Sequence, residues 1–175
     1  MQLTPIKMAD KRFDEVCDLL QLSYPNSCVL WINKVENQDL YKKYLARREH
    51  ILQKRGKIEE HTVFHGTKEA NINSIAIDGF DASLNKISAY GRGTYLASQA
   101  SYSKEYSDVA HDGVSHMFVC KLLVGKITKG RSNMIINTED YDCAVDNTDN
   151  PMIFVTPYND GVIPEYIVAF YKNAR

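Results

Sequence analysis

One hydroxyl and one aromatic ring lie at a spacing that suits the binding of a planar amide. Tyr95 lies in a short strand-like run behind two glycines, and Ser103 and Tyr106 follow it eight and eleven residues later. Because Ser103 and Tyr106 are three residues apart, a helical conformation puts them on one face. A hydroxyl holds an amide by a hydrogen bond, and a ring holds it by stacking. Ser103 and Tyr106 on one face therefore suit a flat amide.

A histidine and a glycine end an earlier strand-like segment. Residues 62–64 are β-branched or aromatic, so they predict a strand that delivers His65 and Gly66 at its end. A glycine at a strand end lets a ligand approach the backbone N–H and C=O groups. Taken alone, a histidine is more often structural than catalytic. The role of His65 therefore depends on what surrounds it.

The elements that position these residues follow from apolar periodicity and turn residues. Gly79 ends a helical pattern over residues 70–77. Strands with few helices and no regular alternation between the two predict an α+β fold. The other predicted helices span 10–22 and 38–53, the other predicted strands span 28–35, 94–96, 117–124, 141–145, 152–156 and 164–170, and 107–113 is predicted as a loop.

The second helix is predicted to bury an apolar stripe and to expose its basic residues to solvent. The stripe consists of Leu40, Tyr41, Tyr44, Leu45, Ile51 and Leu52. A solvated face is the stronger interpretation of the basic residues, but the segment 47–57 also leaves a nucleic-acid interface open. Trp31 stands in an apolar run and is predicted to lie in the core.

Composition and charge exclude several classes of protein. A formal net charge of -1 argues against non-specific nucleic-acid binding, which needs a dominant positive field. The four cysteines form no Cys-x-x-Cys pair, so we expect no metal site and free thiols in a reducing compartment. No apolar run approaches membrane-spanning length, and no signal-peptide core begins the chain. We therefore expect an intracellular monomer, cytoplasmic or nuclear, with no membrane partner.

The motifs together resemble a known family. His65-Gly66-Thr67, followed by Gly-Arg-Gly-Thr-Tyr-Leu-Ala at 91–97, resembles the catalytic domain of the poly(ADP-ribose) polymerase family, the diphtheria-toxin-like ADP-ribosyltransferases. Residues 35–44 resemble the family's approach helix and 141–155 its closing strands, so the resemblance covers about 13–171. The glycines around Arg92 do not make a Rossmann fingerprint, since no third glycine follows and no helix opens at once.

The resemblance implies the architecture. It is the ADP-ribosyltransferase fold, an α+β arrangement of split antiparallel β-sheets with flanking helices and an NAD cleft between them. The chain would be a single catalytic domain over residues 1–175. Residues 1–60 would supply N-terminal helices and a strand that pack on the core, and 61–175 would form the NAD-binding core. No regulatory helical domain is expected.

The resemblance also implies roles for individual residues. The His65 ring would hydrogen-bond a ribose hydroxyl of NAD, and the Gly66 backbone would hold the nicotinamide carboxamide. NAD is implied as a co-substrate, without a metal, and residues 81–90 correspond in place to the loop that covers it. In the family, a serine and a second tyrosine follow the first tyrosine at offsets of eight and eleven, as Ser103 and Tyr106 follow Tyr95. Tyr102 adjoins Ser103 but does not have the offset of the second tyrosine. The residues implied to bind NAD are His65, Gly66, Thr67, Asn71, Tyr95, Ser103 and Tyr106, with Thr67 and Asn71 on the adenosine side.

The third motif position decides the type of transfer. Polymerising members carry a glutamate there, and Pro164-Glu165-Tyr166 invites naming Glu165. The order of segments favours Ile153 instead, because the third residue starts the strand after the Tyr-Asp-x-Ala-Val-Asp pattern. The catalytic set is then His65, Tyr95 and Ile153, the pattern of mono-ADP-ribosyltransferases. An isoleucine cannot polarise an acceptor hydroxyl as a carboxylate can.

The resemblance therefore implies an enzyme, an NAD-dependent pentosyltransferase that adds single ADP-ribose units to protein side chains and releases nicotinamide. Protein acceptors and nicotinamide-type inhibitors are the implied partners. Three alternatives stay open: a catalytically weak module that binds NAD or ADP-ribose, poly(ADP-ribosyl)ation through Glu165, and ADP-ribosylation of nucleic-acid ends. The near-neutral charge weighs against the last.

Overall fold

The structure contains the strands and helices that the sequence predicts, and it contains two further strands. A computed structural model describes residues 1–85 and 88–171, and within them the fold is α+β. The four α-helices are α1 (Lys11–Gln21), α2 (Gln38–Arg55), α3 (Ile72–Asp78) and α4 (Ala100–Ser103). The nine strands are β1 (Gln2–Ile6), β2 (Cys28–Glu36), β3 (Glu59–Thr67), β4 (Thr94–Ala97), β5 (Val114–Val124), β6 (Ile127–Lys129), β7 (Cys143–Val145), β8 (Ile153–Thr156) and β9 (Val162–Tyr171).

The sheet consists of two halves joined by one residue pair. Its strand order is β1-β2-β9-β5-β3-β4-β8-β7-β6, and β3 and β4 pair only at Phe64 and Ala97. We call this junction the seam. It separates the five strands up to β3 from the four that start at β4, so the sheet is nearly split, as expected. The neighbouring strands are antiparallel except β6 and β7, which run parallel.

The half that contains β3 has long ladders and one bulge. β3 pairs with β5 without interruption from Glu59 to Thr67. In the β5–β9 ladder, Val119 lies opposite Tyr166 and Cys120 lies opposite Pro164. Glu165 is thus the extra residue of a β-bulge. A bulge also accommodates Pro164, since proline has no N–H group for the ladder.

Apolar side chains cross the seam where the backbone ladder is nearly absent. Val63 and Phe118 on one side belong to the same buried cluster as Leu96 and Phe154 on the other. Because a single residue pair joins β3 to β4, side-chain packing supplies much of the contact between the two halves.

Helix α2 buries less of its predicted stripe than expected. Asn37 caps its start by accepting the N–H of Leu40, and Gly56 ends it in the left-handed conformation. Tyr44 and Ile51 are buried, but Tyr41 and Leu45 are exposed, so that part of the prediction is wrong. The helix meets the core along a narrow line. No helix among the described residues is both long and apolar enough to span a membrane.

The basic residues of α2 are not simply a solvated face. Arg47 forms a bidentate ion pair with Asp160, with Nε 2.8 Å from Oδ1. Arg55 pairs with Asp142, which is buried, and Nε lies 2.9 Å from Oδ2. These pairs fasten α2 to loops of the core, which removes two cations from any nucleic-acid surface.

Trp31 also departs from its prediction. On β2 the neighbouring residue Ile32 is fully buried, so Trp31 points to the opposite face of the sheet. There its ring lies 5.4 Å from the ring of His116 and stays 40% exposed. Trp31 is a surface residue and not part of the core.

Candidate functional site

A large cavity lies at the seam. Its volume is about 620 Å³. Its walls consist of the ends of β3 and β4, the start of β8, and helices α3 and α4. All eight residues singled out from the sequence line it: His65, Gly66, Thr67, Asn71, Tyr95, Ser103, Tyr106 and Ile153. The near-split sheet therefore creates the space that these residues share.

The His65 imidazole is oriented by the neighbouring strand. Its Nδ1 lies 2.8 Å from the carbonyl oxygen of Tyr95 across the seam. Because a carbonyl only accepts, Nδ1 carries the proton and Nε2 of the neutral ring is left with a free lone pair. Burial lowers the pKa of His65, against a smaller opposing effect of the Tyr95 carbonyl. The ring, packed edge-on against Phe80, is thus a neutral acceptor at Nε2.

The Tyr95 hydroxyl is used to hold the loop that precedes its own strand. It accepts the N–H of Tyr90 at 2.9 Å and donates to the carbonyl of Gly91 at 2.7 Å. Gly91 has φ of 115°, a conformation that favours glycine. Burial raises the pKa of Tyr95, so the phenol stays protonated. With its hydroxyl engaged, Tyr95 offers the cavity the face of its ring.

Ser103 is held on β3 by a backbone carbonyl. Its Oγ donates to the carbonyl of Phe64 at 2.9 Å, and the side chain is buried. The hydroxyl therefore keeps lone pairs that can accept an N–H from an amide in the cavity.

Gly66 allows helix α4 to approach this closely. A Cβ on Gly66 would meet the Ser103 carbonyl oxygen well inside contact distance. The missing side chain therefore makes room for α4, in addition to leaving the Gly66 backbone on the cavity wall.

Thr67 and Asn71 form a separate polar edge of the cavity. Asn71 Nδ2 donates to Thr67 Oγ1 at 3.3 Å, and Thr67 is buried while Asn71 is exposed. The two side chains lie past His65 along β3 and the short helical turn that follows it. They are well separated from Ile153, which lies on β8 at the opposite wall.

Two tyrosines, not one, stand on the α4 side. Tyr106 is 44% exposed at the mouth, and its hydroxyl lies 2.8 Å from that of Tyr102. The two rings are 5.4 Å apart, and burial together with this hydrogen bond raises the pKa of Tyr102. Tyr102 also packs against the cluster that contains Ile153. Because of its offset from Tyr95, Tyr102 was not among the predicted site residues. The only sequence signal for it was its position next to Ser103.

Ile153, and not Glu165, lies on the cavity wall. Ile153 is 6% exposed at the start of β8, where Ala97 of β4 is its partner. The Asp146 carboxylate accepts the N–H groups of Met152 and Ile153 at 3.0 and 2.9 Å, which holds this strand end. Among the described residues that line the cavity, Glu165 is absent.

Glu165 has different neighbours. It occupies the bulge of β9, half-buried, where burial raises its pKa, Lys121 opposes the shift and Glu60 adds to it. The Tyr44 hydroxyl donates to Glu60 at 2.7 Å in the same region. Glu165 therefore lies among these groups and outside the lining of the cavity that His65 and Tyr95 share.

The loop expected to cover the ligand is described in part. Asp81, Leu84 and Asn85 line the cavity, and Asn85 Nδ2 donates to the Gly93 carbonyl at 2.8 Å. The part of the predicted loop that falls on Lys86 and Ile87 lies outside the described residues. Within residues 1–85 and 88–171 no group of three or more potential metal ligands occurs.

The arrangement suits a planar amide attached to a polyol. Tyr95 and Tyr106 supply aromatic faces, Ser103 Oγ accepts an amide N–H, and His65 Nε2 accepts a hydroxyl. Ile153 adds an apolar wall, and its side chain has no group that could act as a base. Orientation and hydrogen bonding are thus what these residues offer.

Comparison with known proteins agrees with this geometry. Residues 12–171 match the family model of the poly(ADP-ribose) polymerase catalytic domain. Over 97% of its length the chain is 30% identical to protein mono-ADP-ribosyltransferase PARP11 of Homo sapiens, and it covers 59% of that protein. Over 81% of its length it is 32% identical to protein mono-ADP-ribosyltransferase PARP14 of Homo sapiens, covering 9% of that protein.

A more distant similarity reaches beyond mammals. The chain is 26% identical, over 81% of its length, to a probable poly [ADP-ribose] polymerase of Dictyostelium discoideum, of which it covers 44%. The chain therefore spans less than two thirds of the length of each of these relatives. Since the family model extends over most of the chain and includes every residue of the cavity described above, this chain belongs to the poly(ADP-ribose) polymerase catalytic domain family.

Proposed function

We propose that this domain transfers single ADP-ribose units from NAD to protein side chains and releases nicotinamide. The observation that carries the proposal is the neutral His65, fixed by the Tyr95 carbonyl with Nε2 free, in one cavity with Ser103, Tyr106 and Ile153. The names of the relatives, which are protein mono-ADP-ribosyltransferases, support the same activity.

The residues present fit NAD as a co-substrate. A volume of about 620 Å³ is in the range of pockets that enclose a ligand of several rings. The free lone pairs of Ser103 Oγ and His65 Nε2 match a carboxamide N–H and a ribose hydroxyl. Thr67 and Asn71, at the other end of the cavity, supply polar groups for the adenosine side.

The chemistry needs little acid or base assistance from the protein. When bound, NAD supplies a glycosidic bond to a cationic pyridinium, so nicotinamide leaves as a neutral molecule with the bonding electron pair and the same ribose carbon bonds to the acceptor. Tyr95 and Tyr106 hold the leaving ring, Ser103 holds its amide and His65 orients the ribose. The residues of this chain therefore act by positioning.

Ile153 supports mono-transfer over elongation. A hydroxyl acceptor needs a base to remove its proton, and an isoleucine has no group that can do so. A carboxylate acceptor is already ionised and attacks without such help. We therefore propose acidic protein side chains as acceptors. The bulge that directs Glu165 toward Lys121 and Glu60 speaks against elongation through Glu165.

Labelled NAD tests the proposal. The purified chain is incubated with a candidate acceptor protein and NAD that carries its label on the adenine, and the products are separated on a denaturing gel. Mono-transfer gives a discrete labelled band that hydroxylamine removes, because that reagent cleaves esters of carboxylates. A labelled smear would mean polymer, label that nuclease removes would mean a nucleic-acid acceptor, and label bound in solution but absent from the gel would mean a binding module. Each of these three outcomes would overturn the proposal.

A further inference from the structure

A second surface combines aromatic rings on the same side of the sheet as the cavity. Trp31 of β2 pairs with Ala169 of β9, Ala169 with His116 of β5, and His116 with Thr67 of β3. Residues opposite one another in a ladder face the same side. Tyr171 follows Ala169 by two residues and also faces this side. Trp31, His116 and Tyr171 therefore form one aromatic patch, in which the first and last are 40% and 39% exposed.

Carboxylates border this aromatic patch. Glu69, Asp108 and Asp112 lie close enough to oppose the lowering of the His116 pKa that burial causes. Asp108 accepts the Glu69 N–H, and Asp112 precedes Gly113, where a Cβ would lie 3.8 Å from the Tyr171 ring. In the part of the chain that is described, none of the three carboxylates forms an ion pair.

Among the residues that the structure describes, the patch carries negative charge without a compensating cation at its centre. Burial lowers the pKa of His116, so the ring between Trp31 and Glu69 is neutral near pH 7. Its Nδ1 is buried and has no hydrogen-bond partner within the described residues. Lys68, which precedes Glu69, lines the cavity instead, and Lys172, which follows Tyr171, lies outside the described residues. Exposed aromatic faces with a carboxylate rim are the surroundings that an organic cation prefers.

We propose that the aromatic patch binds an arginine or lysine side chain of the protein that accepts ADP-ribose. The inference rests on the proposed function for the identity of this partner. An arginine stacks on an indole or phenol face and pairs with a carboxylate at the same time, which a neutral side chain cannot do. The carboxylates equally disfavour a nucleic acid as the occupant.

The position of the patch suits an acceptor. Trp31 and Thr67 are separated by three inter-strand steps of about 4.8 Å, or about 14 Å, and His65, which orients the ribose, lies two residues or about 7 Å further along β3. An extended peptide covers about 3.4 Å per residue. A basic residue about six or more positions from the modified side chain therefore reaches the patch while the acceptor carboxylate reaches the ribose site at His65.

Peptide binding in the absence of NAD tests the inference. The probe is a short fluorescein-labelled peptide with one glutamate and a distant pair of arginines, and its affinity is measured by fluorescence anisotropy at low and physiological salt. We expect Trp31→Ala to weaken binding about tenfold. Glu69→Gln combined with Asp112→Asn should weaken it about threefold and flatten its salt dependence.

Matched controls exclude general effects. Tyr41→Ala removes an exposed ring from α2 and Asp18→Asn removes an exposed carboxylate from α1, and both should bind the peptide like the wild type. When both arginines of the peptide are replaced by glutamine, the wild type and the patch variants should bind it with the same affinity. The two carboxylate substitutions keep the shape of the side chains, so the variant that combines them tests the patch even if Trp31→Ala unfolds.

The outcomes separate this inference from the proposed function. Nicotinamide release from NAD without peptide should be the same in the wild type and the patch variants; its absence from the wild type would contradict the function alone. Equal peptide affinity in the wild type and all patch variants would overturn the inference. So would a dimer in sedimentation that Trp31→Ala turns into a monomer, because a second copy of the chain would then be the occupant.

Discussion

At the scale of single residues, the His65 imidazole has both nitrogens assigned by its surroundings. The Tyr95 carbonyl receives the proton of Nδ1, and burial keeps the ring neutral. Nε2 is therefore an acceptor before any ligand arrives, so no tautomer change is needed on binding. A ring whose orientation is fixed in this way gives binding energy without the cost of ordering it.

Removing this ring should abolish transfer while the fold persists. His65→Ala loses one hydrogen bond and an edge contact with Phe80, which we expect to cost about 1–2 kcal/mol of unfolding free energy. His61→Ala on the same strand is the control, since His61 pairs with Glu59 outside the seam cavity. Labelling from NAD and thermal melting are measured together. Labelling by His65→Ala at the wild-type rate would contradict the assigned role.

Substitutions at Glu165 and Ile153 test which of the two residues lies at the site of transfer. Glu165→Gln should leave transfer largely intact, because the bulge turns Glu165 toward Lys121 and Glu60. Ile153→Glu puts a carboxylate on the cavity wall, yet it should not produce polymer, since elongation also needs a surface that accepts ADP-ribose. Gel mobility of the labelled product is the readout. A folded Glu165→Gln variant without transfer would make Glu165 the catalytic residue.

Tyr102 should matter through its hydroxyl. Tyr102→Phe keeps the ring that packs beside Ile153 but removes the hydrogen bond to Tyr106, which is then free to leave its stacking position. We expect nicotinamide to bind about threefold more weakly, and Tyr106→Ala to lose about 1–2 kcal/mol of binding free energy. Titration calorimetry measures both. If Tyr102→Phe bound nicotinamide like the wild type, the hydroxyl pair would have no positioning role.

At the scale of elements, the close approach of α4 to β3 depends on Gly66. Gly66→Ala places a methyl group against the Ser103 carbonyl, so α4 must shift, and we expect a loss of about 2–3 kcal/mol in unfolding free energy together with weaker nicotinamide binding. Gly56→Ala is the comparison: it has φ of 75° but open space, so it should cost about 1 kcal/mol and leave binding unchanged. Denaturant titration and calorimetry distinguish the two.

The elements that carry strong local patterns were predictable. β3, β4 and β8 have β-branched and aromatic runs bounded by glycine or proline, and they hold His65, Tyr95 and Ile153. The family resemblance further implied that these side chains belong to one site, and all three line the same cavity. Local propensity and residue spacing are the two kinds of structural information that can be read from a sequence alone.

Features that depend on long-range partners were not predictable. β1 contains Pro5 and exists because it pairs with β2 at the sheet edge, and β6 is only three residues long. The exposure of Trp31 depends on what covers its face of the sheet, and the neighbourhood of Tyr102 depends on how α4 meets β8. None of these leaves a periodic signal in the sequence.

At the scale of the whole molecule, two buried histidines predict that acid weakens the fold. Burial lowers the pKa of His65 and of His116 below their ordinary value of 6.5, so the unfolded chain binds protons more readily than the folded one. Their contribution to stability is complete above pH 6.5 and is lost as the pH falls through the folded pKa values. Denaturant titration of the wild type and of His116→Gln should show a smaller acid-dependent loss in the variant. Identical slopes would contradict the buried, neutral state of His116.

The seam between the two halves of the sheet has a consequence for temperature. One residue pair and the apolar contacts among Val63, Phe118, Leu96 and Phe154 join the halves, whereas continuous ladders hold each half together. Apolar association weakens on cooling, and backbone hydrogen bonds do not weaken in the same way. Cold should therefore loosen the junction before it loosens either half. Since His65 lies on one half and Tyr95 and Ile153 lie on the other, we expect the proposed NAD site to bind its ligand more weakly in the cold.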